Sequence, residues 1–108
     1  MRKLLLLLAL LAIAVPAVTV SAIAATKTKT TTLQDDFFTK GKLTIKKGTI
    51  VNWKWKTDDD HTVTDINGKF GSHDTTHGNF KHKFKKRGKF TVYCLVHPTV
   101  MRQKIVVK

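Results

Sequence analysis

From residue 43 onward, apolar and polar residues alternate with a period of two. Leu43 and Ile45 alternate with Thr44 and Lys46, ahead of a break at Lys47-Gly48. Val51, Trp53 and Trp55 alternate with Asn52, Lys54 and Lys56. Successive side chains of a strand point to opposite faces, so this pattern predicts strands with one buried face. Asp58-Asp59-Asp60 interrupts it, and His61 and Val63 resume it, which turns His61 inward beside Val63. Residues 67–78 read as a long loop carrying Gly68, Gly71 and Gly78. Phe80, His82 and Phe84 mark the next strand, turned by Lys85-Lys86-Arg87-Gly88. Phe90, Val92 and Cys94 then share a face opposite Thr91 and Tyr93, and Ile105-Val106-Val107 forms the last strand. Six or seven short strands with glycine-containing turns predict an all-β sandwich.

The first residues follow another pattern. Arg2 and Lys3 precede an apolar run from Leu4 to Val15, Pro16 breaks it, and Ala22-Ile23-Ala24 fits an A-x-A cleavage site. This is the layout of an export signal, residues 1–24. The alternative is an uncleaved anchor, which Pro16, Thr19 and Ser21 weaken, since a spanning helix needs about 20 mostly apolar residues. Residues 25–34 read as a flexible polar leader, Ala-Thr-Lys-Thr-Lys-Thr-Thr-Thr in its first eight positions. Residues 35–108 are expected to form a single small domain. Export places it at a periplasmic, cell-surface or extracellular site. Small domains there commonly use disulfides, but one cysteine cannot form an internal bridge.

Charge narrows the partners. The chain carries +13, and +11 without Arg2 and Lys3. In an intracellular protein this would suggest nucleic acid; export and the lack of a base-stacking motif argue for none. An acidic protein partner, an anionic envelope surface and plain solubility remain as readings. Lys81, Lys83 and Lys85 alternate against Phe80, His82 and Phe84 and so face solvent. A field of this sign speeds encounter with a negative partner and weakens with salt.

The chemistry concentrates near the end. Cys94, His97 and Met101 offer a thiolate, an imidazole and a thioether within eight residues, and His61 is a second imidazole. The cysteine alone could be a small buried hydrophobe, or could pair between chains. Two histidines, one cysteine and a weakly held methionine instead make the ligand set of a mononuclear electron-transfer copper site. His73 and His77 could make a weak second metal site or be exposed loop residues. His82, on the Phe80/Phe84 face, reads as packing.

Several segments together resemble the cupredoxins, the blue copper proteins of plastocyanin, pseudoazurin and amicyanin type. They are Gly48-Thr49-Ile50-Val51-Asn52-Trp53, Asp60-His61-Thr62-Val63, Gly78-Asn79-Phe80-Lys81-His82-Lys83-Phe84, and Gly88-Lys89-Phe90-Thr91-Val92-Tyr93-Cys94 running into His97-Pro98. The resemblance extends from about Leu43 to Val107. It implies a Greek-key β-sandwich of about seven strands holding one copper ion, Cu(II)/Cu(I), near one end. His61 and His97 would give ring nitrogens, Cys94 the thiolate and Met101 the long axial sulfur. Thr62 occupies the place of a residue that hydrogen-bonds across to the cysteine loop. The loop reads Cys-x2-His-x3-Met, between the shorter amicyanin-like and longer plastocyanin-like spacings. The expected function is one-electron transport without enzyme activity, by a monomer serving a redox partner protein, acidic if the basic face docks it. Membrane contact comes only through the signal or an uncleaved anchor. The alternative is copper binding or delivery without electron transfer.

Overall fold

The computed structural model describes residues 12–16 and 26–108. The expected signal, residues 1–24, lies outside them apart from residues 12–16, which have no regular structure. Among the described residues no helix is long and apolar enough to cross a membrane.

Eight strands form among the described residues: β1 (Thr28–Gln34), β2 (Phe37–Phe38), β3 (Lys42–Ile45), β4 (Ile50–Trp55), β5 (Thr64–Asp65), β6 (Asn79–Lys83), β7 (Gly88–Tyr93) and β8 (Arg102–Val107). They make two four-stranded sheets, ordered β2-β1-β4-β6 and β3-β8-β7-β5. Both sheets are mixed, because β1 runs parallel to β4 and β3 parallel to β8. The alternation expected from sequence is what builds the core. Val51, Trp53 and Trp55 of β4 face Leu43, Ile45, Val92, Ile105 and Val107 of the other sheet, all buried. Phe70, Phe80 and Phe90 close its flanks.

The leader is a correction. Residues 28–34 are not a flexible spacer but β1, paired in register with β4 from Thr28↔Ile50 to Leu33↔Trp55. Thr31 and Leu33 are buried on its inner face. The domain therefore begins near Thr28 rather than at residue 35. Threonine is β-branched and suits a pleated, half-buried strand. The segment shows too few apolar residues to announce itself, because its stabilising partner lies elsewhere in the chain.

One buried polar residue ties the sheets together. Gln103 of β8 accepts from Trp53 Nε1–H (2.8 Å) and donates to the Thr31 hydroxyl (3.3 Å) and the Lys40 carbonyl (2.7 Å). A buried amide satisfied in this way fixes how one sheet sits on the other.

The strand expected at His61 and Val63 is shorter than the alternation suggests. His61 joins Thr75 through an isolated bridge, and continuous pairing begins only at β5. The long loop folds back against this region through Phe70 and a second bridge, Thr64↔Gly71.

Candidate metal centre

Cys94 directly follows β7, and its side chain continues the inward row of Val92 into the core with no exposure. The segment from Cys94 to Met101 then returns to β8 as a closed loop. The Val100 and Met101 N–H groups both donate to the His97 carbonyl, at 3.3 and 3.0 Å, and Cys94 N–H donates to the Met101 carbonyl (3.1 Å). The loop is thus fastened at its base and folded at His97, which projects the imidazole back over Cys94.

His61 arrives from the other side. Its backbone exchanges hydrogen bonds with Thr75 (3.0 and 3.3 Å), and Trp55 Nε1–H donates to its carbonyl (3.3 Å). The ring is fully buried, as expected from its phase with Val63. Cys94 Sγ lies 3.7 Å from His61 Nδ1 and 3.9 Å from His97 Nδ1. All three donor atoms lie within 4.8 Å of one another. A metal bound at about 2.3 Å to a thiolate and about 2.0 Å to an imidazole, with an opening near 120°, needs S···N separations of about 3.7 Å. The two S···N separations match those around one trigonal metal ion.

Protonation agrees with that geometry. Burial first, and then the neighbouring His97, lower the His61 pKa, outweighing the opposite pull of Asp59, Asp36 and Asp35. A neutral imidazole keeps a lone pair for a metal. Each ring has its outer nitrogen occupied. His61 Nε2 is 3.2 Å from the Thr57 hydroxyl, and His97 Nε2 is 3.0 Å from the Asp36 carboxylate. Both Nδ1 atoms are left facing the sulfur.

Thr62 performs the bridging expected of it. Its hydroxyl accepts the Leu95 N–H (2.9 Å), and its own N–H points at Cys94 Sγ (3.4 Å). Donation to a thiolate from a fixed backbone group steadies its charge. Met101 is fully buried at the base of the loop, beside Cys94 in the backbone pairing. His82 packs face to face on Phe70, with ring centroids 3.9 Å apart. His73 and His77 are exposed and join no three-donor group among the described residues. No spacing or pattern in the sequence ties Asp36 and Thr57 to the centre. The only available signal was turn chemistry, Asp35-Asp36 being a pair of turn-favouring residues.

No family model matches the chain, and no curated protein matches it. Solved structures do. A reduced, Cu(I) amicyanin mutant matches with a TM-score of 0.67 at 21% identity, covering 73% of this chain and 80% of that one. A purple cupredoxin from Nitrosopumilus maritimus matches at 0.65 and 24% identity, covering 73% of this chain and 98% of that one. The fold is that of the cupredoxins. A copper-containing nitrite reductase from Thermus scotoductus also matches, at 0.63 and 23% identity, covering 73% of this chain and 22% of that one. The cupredoxin fold thus occurs both alone and inside a larger chain.

Proposed function

We propose that the chain is an exported, mononuclear blue copper protein that carries single electrons. The observation that carries this reading is the convergence of His61 Nδ1, His97 Nδ1 and Cys94 Sγ within 4.8 Å, with both outer ring nitrogens already engaged. Those three side chains would hold the copper, and Met101 would supply a weak fourth donor. Bound there, copper supplies a one-electron couple between Cu(II) and Cu(I).

The chain's own residues provide the rest. The buried Cys94, His61 and Met101 exclude water, while His97, its side chain 26% exposed, offers a partner the shortest way in. Burial of three of these four side chains, with only His97 partly exposed, supports a carrier over a catalyst. The partner is a redox protein. The positive leader and A-x-A site support export to the periplasm, cell surface or medium.

Adding Cu(II) to the purified domain should produce an intense thiolate-to-Cu(II) absorption band in the visible at one equivalent. Cys94→Ser should abolish it in a domain that remains folded. Absence of the band from the wild-type protein overturns the reading. Tight Cu(I) binding with rapid release to an acceptor would replace it with copper delivery.

A further inference from the structure

The turn between β1 and β2, Asp35-Asp36, reaches both imidazoles of the metal centre. Asp36 contacts His97 Nε2 directly at 3.0 Å. Asp35 reaches His61 through Thr57, whose hydroxyl donates to the Asp35 carboxylate. Thr57 Oγ1 also accepts the Asp59 N–H (3.1 Å) and lies 3.2 Å from His61 Nε2.

Hydrogen-bond arithmetic fixes the protons. A hydroxyl has one donor and two acceptor sites. Thr57 spends its donor on Asp35 and one acceptor site on Asp59 N–H, so toward His61 it can only accept. His61 therefore carries its proton on Nε2. An ionised carboxylate only accepts, so His97 also carries its proton on Nε2, toward Asp36. While each ring is neutral, its Nδ1, the atom that faces Cys94, is therefore left without a proton.

We infer that this turn is a carboxylate clamp: Asp36 directly, and Asp35 through Thr57, hold both histidines in the metal-binding tautomer and strengthen them as donors to Cu(II). The inference rests on the copper reading for its second half only. A carboxylate behind a ligating imidazole orients the ring and raises its basicity. Its negative charge favours the more highly charged copper state, so it lowers the reduction potential. Asp36 is a positioning residue, acting through His97.

The backbone makes the test clean. Asp36 has φ of 64°, a left-handed conformation that asparagine and glycine also accept readily. Asp36→Asn and Asp36→Gly should therefore fold normally. Asn keeps an acceptor but loses the charge; Gly loses both. In copper-free wild-type protein, imidazole ¹⁵N spectra should show His97 protonated on Nε2 and bare on Nδ1. D36N should retain that state, and D36G should lose it to a mixture of tautomers. In the loaded protein, D36N should bind Cu(II) about 10–100-fold more weakly, with Cu(I) affinity falling less and the reduction potential rising. A wild-type His97 protonated on Nδ1, or a D36G spectrum identical to wild type, overturns the tautomer clamp. Unchanged Cu(II) affinity and potential in D36N overturn its electronic half. A wild-type protein that never develops the thiolate band defeats the copper reading instead, and the copper-free spectra still decide the tautomers.

Discussion

Thr62→Val removes one hydroxyl from the centre while keeping the shape of the side chain. Thr62 is buried, and its Oγ1 accepts the Leu95 N–H at 2.9 Å while sharing a hydrogen bond with Thr64 Oγ1, also at 2.9 Å. Valine keeps the Thr62 N–H that points at Cys94 Sγ, so only the tie to the ligand loop is cut. Leaving a part-buried amide without its acceptor costs about 1–2 kcal/mol, since the desolvation penalty is no longer repaid. Thr64 is only partly buried, so the loss of its hydrogen bond adds less. In a domain of this size each kcal/mol lowers the melting temperature by roughly 4–8 °C.

Thermal melts of copper-free wild type, T62V and Thr62→Ser should therefore separate T62V alone, downward by roughly 4–16 °C. Copper should also stabilise T62V less than wild type at equal metal concentration. Binding to the folded state raises stability as the logarithm of affinity, and a loosened Leu95 frees the loop that carries His97. Equal melting of T62V and wild type, with equal gains on adding copper, would refute the assigned role. A T62S variant as unstable as T62V would show that packing of the methyl group, not the hydroxyl, is responsible.

Met101→Leu conserves most of the buried volume and should cost less than about 1.5 kcal/mol. It should keep the thiolate band but raise the reduction potential, as voltammetry would read, because a weak donor to Cu(II) is gone; an unchanged potential reduces Met101 to packing. His82 gives a pH dependence. Burial, then Lys85, lower its pKa, and Asp65 only partly offsets them. Below about pH 6.5 the unfolded chain binds a proton that the folded one resists, so stability present above that pH is lost as the pH falls. His82→Phe should shed this term, worth at most about 1.4 kcal/mol per pH unit. Urea midpoints of wild type and His82→Phe should therefore diverge between pH 7 and pH 5. His61 contributes with the same sign in both copper-free proteins, so parallel curves would show that His82 is not the group responsible.

The strands most legible in the sequence are those whose burial is a local matter. Val51, Trp53 and Trp55 alternate against lysine and asparagine because β4 presents one face to the core, and no distant residue is needed to see it. Cys94, His97 and Met101 were legible because their spacing is itself the loop. β1 was not, because its reason for being a strand is six residues of parallel register with β4. Gln103 reads as an ordinary polar position in an alternating strand. Only the fold brings Trp53 Nε1, Thr31 and Lys40 around it. Asp36 is hidden for a similar reason: sixty-one positions separate it from His97.

That hidden turn also changes how the charge of the molecule should be understood. Six of the seven acidic residues are exposed, and all six sit on segments that border the metal centre. Asp35 and Asp36 form the clamp, Asp58, Asp59 and Asp60 lead into His61, and Asp74 adjoins its bridge partner Thr75. The lysines singled out as a docking face lie elsewhere. Lys81 and Lys83 are on β6, an edge strand, and Lys83 pairs with Ile50 at the start of β4, while the centre lies beyond Trp55 at its end. At about 3.3 Å per residue, the five steps from Ile50 to Trp55 cover roughly 16 Å. Exposed lysines on an edge strand have a role of their own, since they discourage pairing with the edge of another sheet. On the proposed function, a partner taking its electron at His97 would meet carboxylates together with the exposed Leu95, Val96 and Val100. A strongly cationic protein can thus present a locally anionic, partly apolar edge beside His97. On that proposal, net charge would govern the approach of a partner from a distance, and Asp36 what it meets on contact.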